Sequence, residues 1–206
     1  MLYDDSVILV YAKAPVEGKV NTRLIPDIGV QAATELQRNL IHHRLAMLSE
    51  AALCDVRLMC APDQQDENFQ LCEKKYPVTL FDQLGENLGA RMFNGIAAAL
   101  RQYKYCIVIG TDAPALDAQK IKQVIDVLQS GTDVVFVPAE DGGYVLVAMR
   151  QAYPFLFEDI SWGSAQVMRQ SENRLDENNV SYEVLAQCWD VDTLKDYQRY
   201  LAFIKS

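Results

Sequence analysis

The chain has 206 residues, 50% of them hydrophobic and 23% charged, a composition and length that suit one α/β domain with a fully buried sheet. Its formal net charge is -9, from 28 acidic against 19 basic residues, so its surface repels polyanions and argues against nucleic acid as a partner. No apolar run approaches the length of a membrane span.

The N-terminal MLYDDSVILVYAK is acidic ahead of its apolar run and has no cleavage site, unlike a signal peptide. Cys54, Cys60, Cys72, Cys106 and Cys188 form no CxxC, which fits structural thiols in a reduced cytoplasmic chain.

In chain order, Val7 to Ala12 (VILVYA) predicts a buried strand. An irregular loop follows, KAPVEGKVNTRLIPDIG, broken by Pro15, Gly18, Pro26 and Gly29 and carrying Lys13, Lys19 and Arg23. Ala33, Leu36, Leu40, Leu45 and Leu48 predict a helix over about Val30 to Ala51. Asp55 to Cys60 reads as a strand, the polar stretch from Asp63 to Lys75 as a short helix, and Val78 to Phe81 as a third strand. The segment QLGENLGARM is a loop running into a helix that ends near Tyr103.

The stretch from Ile107 to Leu146 organises the rest. Ile107-Val108-Ile109 is a strand ending in the turn Gly110-Thr111-Asp112-Ala113-Pro114. A helix capped by Asp117 follows, then a strand from Asp133 to Val137 that ends in Pro138-Ala139-Glu140-Asp141-Gly142-Gly143-Tyr144. Tyr144 to Met149 is a further strand. Ser161 or Ser164 is expected to cap a helix through about Asn178. Ser181 to Leu185 is a last short strand, and Asp192 or Thr193 caps the C-terminal helix. Strands alternating with helices predict a layered α/β fold with a largely parallel sheet. With no repeat, linker or low-complexity segment, residues 1–206 read as a single domain.

In such a sheet ligands bind beyond the carboxyl ends of the strands, so the loops at Asp112 and Asp141 are expected to face one crevice. Gly18-Lys19 invites a P-loop reading. It fails, because Lys13 stands where the first glycine belongs and Val20 where Ser or Thr must hold the metal. What remains is a basic loop able to wrap phosphates. Each acidic group has a local alternative. Asp112 could close its turn. Gly142-Gly143 could form a hairpin. Asp190 and Asp192 could serve the following helix. Together they suit a hard divalent cation, which takes a few carboxylates plus phosphate oxygens. His42 and His43 point about a hundred degrees apart on a helix and cannot share a metal, so both read as structural.

Six segments occur in order: AKAPVEGKVNTRL, QLGENLGARM, GTDAPAL, PAEDGGYVLVAMR, SWGS and DVDTLKDY. Together they resemble a bacterial family of uncharacterised glycosyltransferase-like proteins related to molybdenum-cofactor guanylyltransferase and phospholactate guanylyltransferase. The resemblance spans nearly the whole chain. It implies a GT-A-like (nucleotide-diphospho-sugar transferase) three-layer sandwich. It implies Mg2+ or Mn2+ held by Asp112 and Asp192, and a nucleotide or nucleotide-sugar donor bound through Lys13, Lys19, Arg23, Arg91, Gly142 and Gly143. Asp141 is then a general base or an acceptor-binding group. The expected activity is glycosyl or nucleotidyl transfer to a small acceptor. One departure stands out: Asn21 occupies the place of a lysine that the family usually has before Thr-Arg. It motivates the alternative of a catalytically inert nucleotide-binding or regulatory protein on the same fold.

Overall fold

The computed structural model describes residues 1–205. Seven strands form one sheet: β1 (Ser6–Lys13), β2 (Asp55–Ala61), β3 (Thr79–Asp82), β4 (Tyr105–Ile109), β5 (Val134–Pro138), β6 (Tyr144–Met149) and β7 (Tyr182–Val184). Their order is β3-β2-β1-β4-β6-β5-β7, and every neighbour pair is parallel except those of β6 with β4 and β5. The α/β, mostly parallel expectation therefore holds.

β1 is an unbroken apolar run because both of its faces are covered. Ile8 and Val10 pack with Ile41, Leu45, Phe69, Ile121 and Ile125, from α1 (Ile25–Ala51), α2 (Glu67–Lys75) and α4 (Ala118–Gln129). Val7 and Leu9 pack on the other face with Met92 and Ile96 of α3 (Leu88–Ala99) and with Met168 and Leu175 of α5 (Val167–Glu177). Strand alternation thus divides one hydrophobic run between two cores and produces three layers. A third cluster joins Leu24, Leu36 and Leu40 to Trp189, Val191 and Tyr200, which docks α6 (Leu194–Phe203) against α1.

The expected helix start near Val30 has a simple cause. Gly29 breaks the helical path with φ 82 and ψ 161, so regular helix begins after it and a short turn opening at Ile25 precedes it. Asp117 caps α4 as expected, its side chain accepting from the Lys120 amide. Three expectations need correction. The helix expected to reach Tyr103 ends at Ala99, and residues 100–102 form a turn. Neither Ser161 nor Ser164 caps α5: the N-cap is Gln166, two residues past Ser164, whose hydroxyl accepts the Gln166 amide at 3.3 Å. The C-terminal helix is capped by Thr193, in a reciprocal box with Asp196, which leaves Asp192 free of that duty. All five cysteines are free thiols. Among the described residues no helix is long and apolar enough to cross a membrane.

Candidate functional site

The carboxyl ends of β1 and β4 open onto a cleft of about 350 Å³. The chain leaves β1 for β2 and β3 on one side and returns to β4 on the other, the switch point at which open α/β sheets bind ligands. Lys13, Lys19, Asn21 and Thr22 line the cleft, as do Val108 to Asp112 with Val191 and Asp192. Tyr11, Gln83, Leu88, Met92, Tyr144 and Val145 complete it.

The basic loop is clipped to α1 at both ends. The Asn21 amide donates to the Ala33 carbonyl at 2.9 Å and lies 3.5 Å from Gln37 Oε1, while the Gln37 amide donates to the Lys13 carbonyl at 3.0 Å. Asn21 has φ 47, a left-handed conformation that asparagine tolerates better than most residues. The missing lysine is thus replaced by a residue with its own structural work.

The Asp112 turn is held from beneath. Arg44 is fully buried and donates to the carbonyls of Ala113 and Leu116. His43 Nε2 lies 3.1 Å from the Pro114 carbonyl, which can only accept, so that nitrogen carries a proton. His42 Nδ1 lies 3.1 Å from the Tyr76 hydroxyl, so both histidines serve the fold. Gly110 sits under the Asp112 carboxylate, where a Cβ would stand 2.5 Å from Oδ1. Residues 188–192 run alongside. Cys188 donates its amide to the Pro138 carbonyl, and Val191 donates to the Asp112 carbonyl, both at 2.9 Å. Trp189 and Val191 turn into the core. Alternation sends Asp190 and Asp192 the other way, toward the crevice.

Asp141 lies in the loop joining β5 and β6, and its Oδ1 accepts the Gly143 amide at 2.9 Å. Gly142 has φ 91, as expected of one member of the pair. Its surroundings explain the rest. A Cβ there would lie 2.5 Å from the Ala165 carbonyl oxygen, and its own carbonyl accepts the Met168 amide at 3.0 Å. The glycine pair thus seats the hairpin on residues 165–168, outside the residues that line the cleft. Glu140, beside Asp141, pairs with Arg199 of α6 at 3.1 Å.

Carboxylate oxygens of Asp141, Asp190 and Asp192 come within 4.8 Å of one another. Burial, followed by the charges of Asp112, Asp141 and Asp192, pushes Asp190 up to about 7. Asp112 is also raised. Crowding by surrounding protein is the main cause, its own amide and Arg44 pull the other way, and Asp192 and Asp141 add to the rise. The Asp112 side chain nevertheless has an exposed surface, and water there screens part of the crowding effect. An oxygen-only set of crowded like charges suits a hard divalent cation, which would relieve the repulsion.

The basic residues divide. Lys13 and Lys19 face the cleft. Arg23 lies in a shallow neighbouring pocket with Asn21, Thr22 and Asp192, and its Nη1 is 2.5 Å from Asp192 Oδ2. Arg91 is engaged elsewhere: its Nε donates to the Gly85 carbonyl at 3.0 Å, and its own carbonyl accepts the Tyr11 hydroxyl at 2.8 Å. Sequence reasoning left Asp190 as a helix-end residue and passed over Arg44. The signal for Asp190 was the alternation Trp189-Asp190-Val191-Asp192, and Arg44 carried none, being one basic residue on a long helix.

A family model described as "Uncharacterized protein conserved in bacteria (DUF2064)" matches residues 44–164. None of the curated proteins matches the chain. Among solved structures, a "putative nucleotide-diphospho-sugar transferase" from Desulfovibrio desulfuricans G20 is similar, with 28% identity over 92% of this chain and 83% of that one and a TM-score of 0.84. The 4-diphosphocytidyl-2C-methyl-D-erythritol synthase of Anaerococcus prevotii DSM 20548 shares 12% identity over 98% of this chain and 99% of that one, with a TM-score of 0.66. A CMP:2-keto-3-deoxy-manno-octonic acid synthetase complexed with CTP shares 10% over the same proportions, with a TM-score of 0.64. The last two likenesses are of fold. They place the chain among GT-A-like nucleotide-diphospho-sugar transferase folds.

Proposed function

The chain belongs to this DUF2064 family of bacterial proteins, and on that premise we propose that it is a divalent-metal-dependent transferase acting on a nucleotide donor. The donor is a nucleoside triphosphate or a nucleotide sugar, and the group passed to a small acceptor is nucleotidyl or glycosyl. One observation carries the reading. Asp112 and Asp192 line one crevice with Lys13 and Lys19 at the switch point of the sheet, and Asp141 and Asp190 cluster with Asp192.

Asp112 and Asp192 are the residues to hold the cation, with Asp190 and Asp141 completing the acidic surround. Bound there, the cation would offset negative charge that grows on phosphate oxygens. Lys13 and Lys19 bind the donor phosphates, and Arg23 stands in the neighbouring pocket. In the nucleotidyl version an acceptor phosphate oxygen bonds to the donor's α-phosphorus and pyrophosphate leaves. In the glycosyl version an acceptor hydroxyl bonds to the anomeric carbon, loses its proton, and a nucleoside diphosphate leaves. Asp141, the exposed member of the acidic cluster, would take that proton or orient the acceptor.

The test is thermal stabilisation by a panel of nucleoside triphosphates and nucleotide sugars, with and without Mn2+. A ligand at a hundred times its Kd adds about 2.7 kcal/mol, an easily read shift. Stabilisation by at least one donor only when Mn2+ is present supports the reading. Stabilisation by none contradicts it. Binding without turnover on a broad acceptor panel would favour an inert nucleotide-binding protein.

A further inference from the structure

We infer that Arg23 acts as a resident cation for the acidic cluster and is handed from Asp192 to the donor's phosphates when metal enters. The inference rests on the proposed metal and nucleotide site and concerns how that site fills. Three observations meet at Asp192. It belongs to the group of three aspartates whose oxygens lie within 4.8 Å of one another. Arg23 Nη1 sits 2.5 Å from its Oδ2. It also lines the same cleft as Lys13 and Lys19.

Arg23 is the only basic side chain in an ion pair with this cluster among the described residues. Buried Arg44 spends its donors on the Ala113 and Leu116 carbonyls behind the Asp112 turn, and Lys13 and Lys19 line the cleft without an ion pair to these aspartates among the described residues. Without ligand, then, the Arg23 guanidinium is the cation in direct contact with the cluster. A metal arriving at Asp192 meets the guanidinium's like charge and competes with it for the carboxylate. The side chains of the pair are 66% and 36% exposed, so the contact is screened by water and weak enough to exchange.

Arg23 is built to move. It lies two residues after Asn21, which is clipped to Ala33, and directly before buried Leu24, so its backbone is anchored on both sides while its long side chain reaches into water. Released from Asp192, the guanidinium matches phosphate oxygens with two parallel N–H donors. One residue thereby couples two ligands. Metal alone must displace Arg23 with no phosphate to receive it, and nucleotide alone must compete with Asp192 for it. Metal and phosphate together satisfy both, so each should bind better in the presence of the other.

The distinguishing experiment uses Mn2+ alone as the first probe, followed by the free-Mn2+ signal in an equilibrium titration of wild type and Arg23→Gln. The variant loses the competitor and should bind Mn2+ tighter, by roughly three- to fivefold, the scale of an exposed ion pair. The second probe is pyrophosphate with Mn2+, read as a shift in melting temperature, and the variant should gain less than wild type. Arg23 is exposed, so the unliganded variant should melt with wild type. Equal or weaker Mn2+ binding by Arg23→Gln, with wild type binding both probes, overturns the handover and leaves the proposed function standing. Absence of Mn2+ binding by wild type both alone and with pyrophosphate overturns both.

Discussion

The backbone amide of Val191 donates to the carbonyl of Asp112 at 2.9 Å. That bond joins the turn after β4 to the strand-like segment before α6, and so brings together two acidic segments far apart in sequence. The side chain of Val191 is buried with Leu24, Leu36 and Leu40, so the hydrophobic contact that anchors it also sets where Asp190 and Asp192 point. The acidic cluster follows from ordinary core packing at its back.

Arg44 should be the stability-critical residue of this site. It is fully buried, bonds two carbonyls of the Asp112 turn, and leaves its Nε without a partner. Burial lowers it to about 10, with Asp112 the foremost charge favouring its cationic form. Arg44→Ala leaves both carbonyls without donors and opens a cavity, an expected loss of about 3 kcal/mol. Chemical denaturation measures it. A loss within the error of wild type would show that α1 does not hold the turn.

Asp190 should give the unliganded protein a characteristic pH dependence. Its ordinary value is 3.8, and in the fold it is pushed up to about 7. Between those values the folded form keeps a proton that the unfolded chain has released, so stability falls as pH rises through that window. Asp190→Asn cannot ionise and should melt higher than wild type at pH 8, with the gap closing toward about pH 4. A pH-independent gap would mean that Asp190 titrates normally.

Gly142→Ala tests how the hairpin is seated. Its φ of 91 disfavours any side chain, and the added Cβ would meet the Ala165 carbonyl oxygen at 2.5 Å. The expected cost is about 1–3 kcal/mol in thermal or denaturant unfolding. Gly143 has only the Asp141 carboxylate near its Cβ position, at 3.2 Å, so Gly143→Ala should cost less. Reversal of that order would contradict the contact with residue 165.

Asn21→Lys would restore the charge that the family resemblance leads one to expect. It would also remove the amide that clips the loop to Ala33 and place a residue less suited to φ 47. The expected result is a melting temperature lowered by a few degrees, for a loss of about 1 kcal/mol, with no gain in nucleotide affinity. Tighter binding at unchanged stability would show that the missing charge matters more than the clip.

The sheet was legible because its strands announce themselves. VILVYA, CIVI and VVFVP are apolar on both faces, and Asp117 and Gly29 punctuate the helices as their chemistry requires. The acidic loops at Asp112 and Asp141 were legible from their places after strands. Other features depend on partners distant in sequence. The glycine pair at 142–143 has a positive φ as expected, but what presses on it is Ala165. Arg91 is bonded to Gly85. Asn21 looked like a lost charge until Ala33 and Gln37 came beside it. Asp190 was hidden by the plausibility of helix capping, a task that Thr193 performs.

The most direct measurement is nucleotide affinity with and without Mn2+ for wild type, Asp112→Asn and Asp192→Asn. Thr193 caps α6, so Asp192→Asn should leave unliganded stability close to wild type, and relief of like charge should raise that of Asp112→Asn. The account predicts that Mn2+ tightens nucleotide binding to wild type by at least about tenfold, a coupling of roughly 1.4 kcal/mol, and that either substitution removes most of this gain. Equal metal dependence in all three proteins would contradict it.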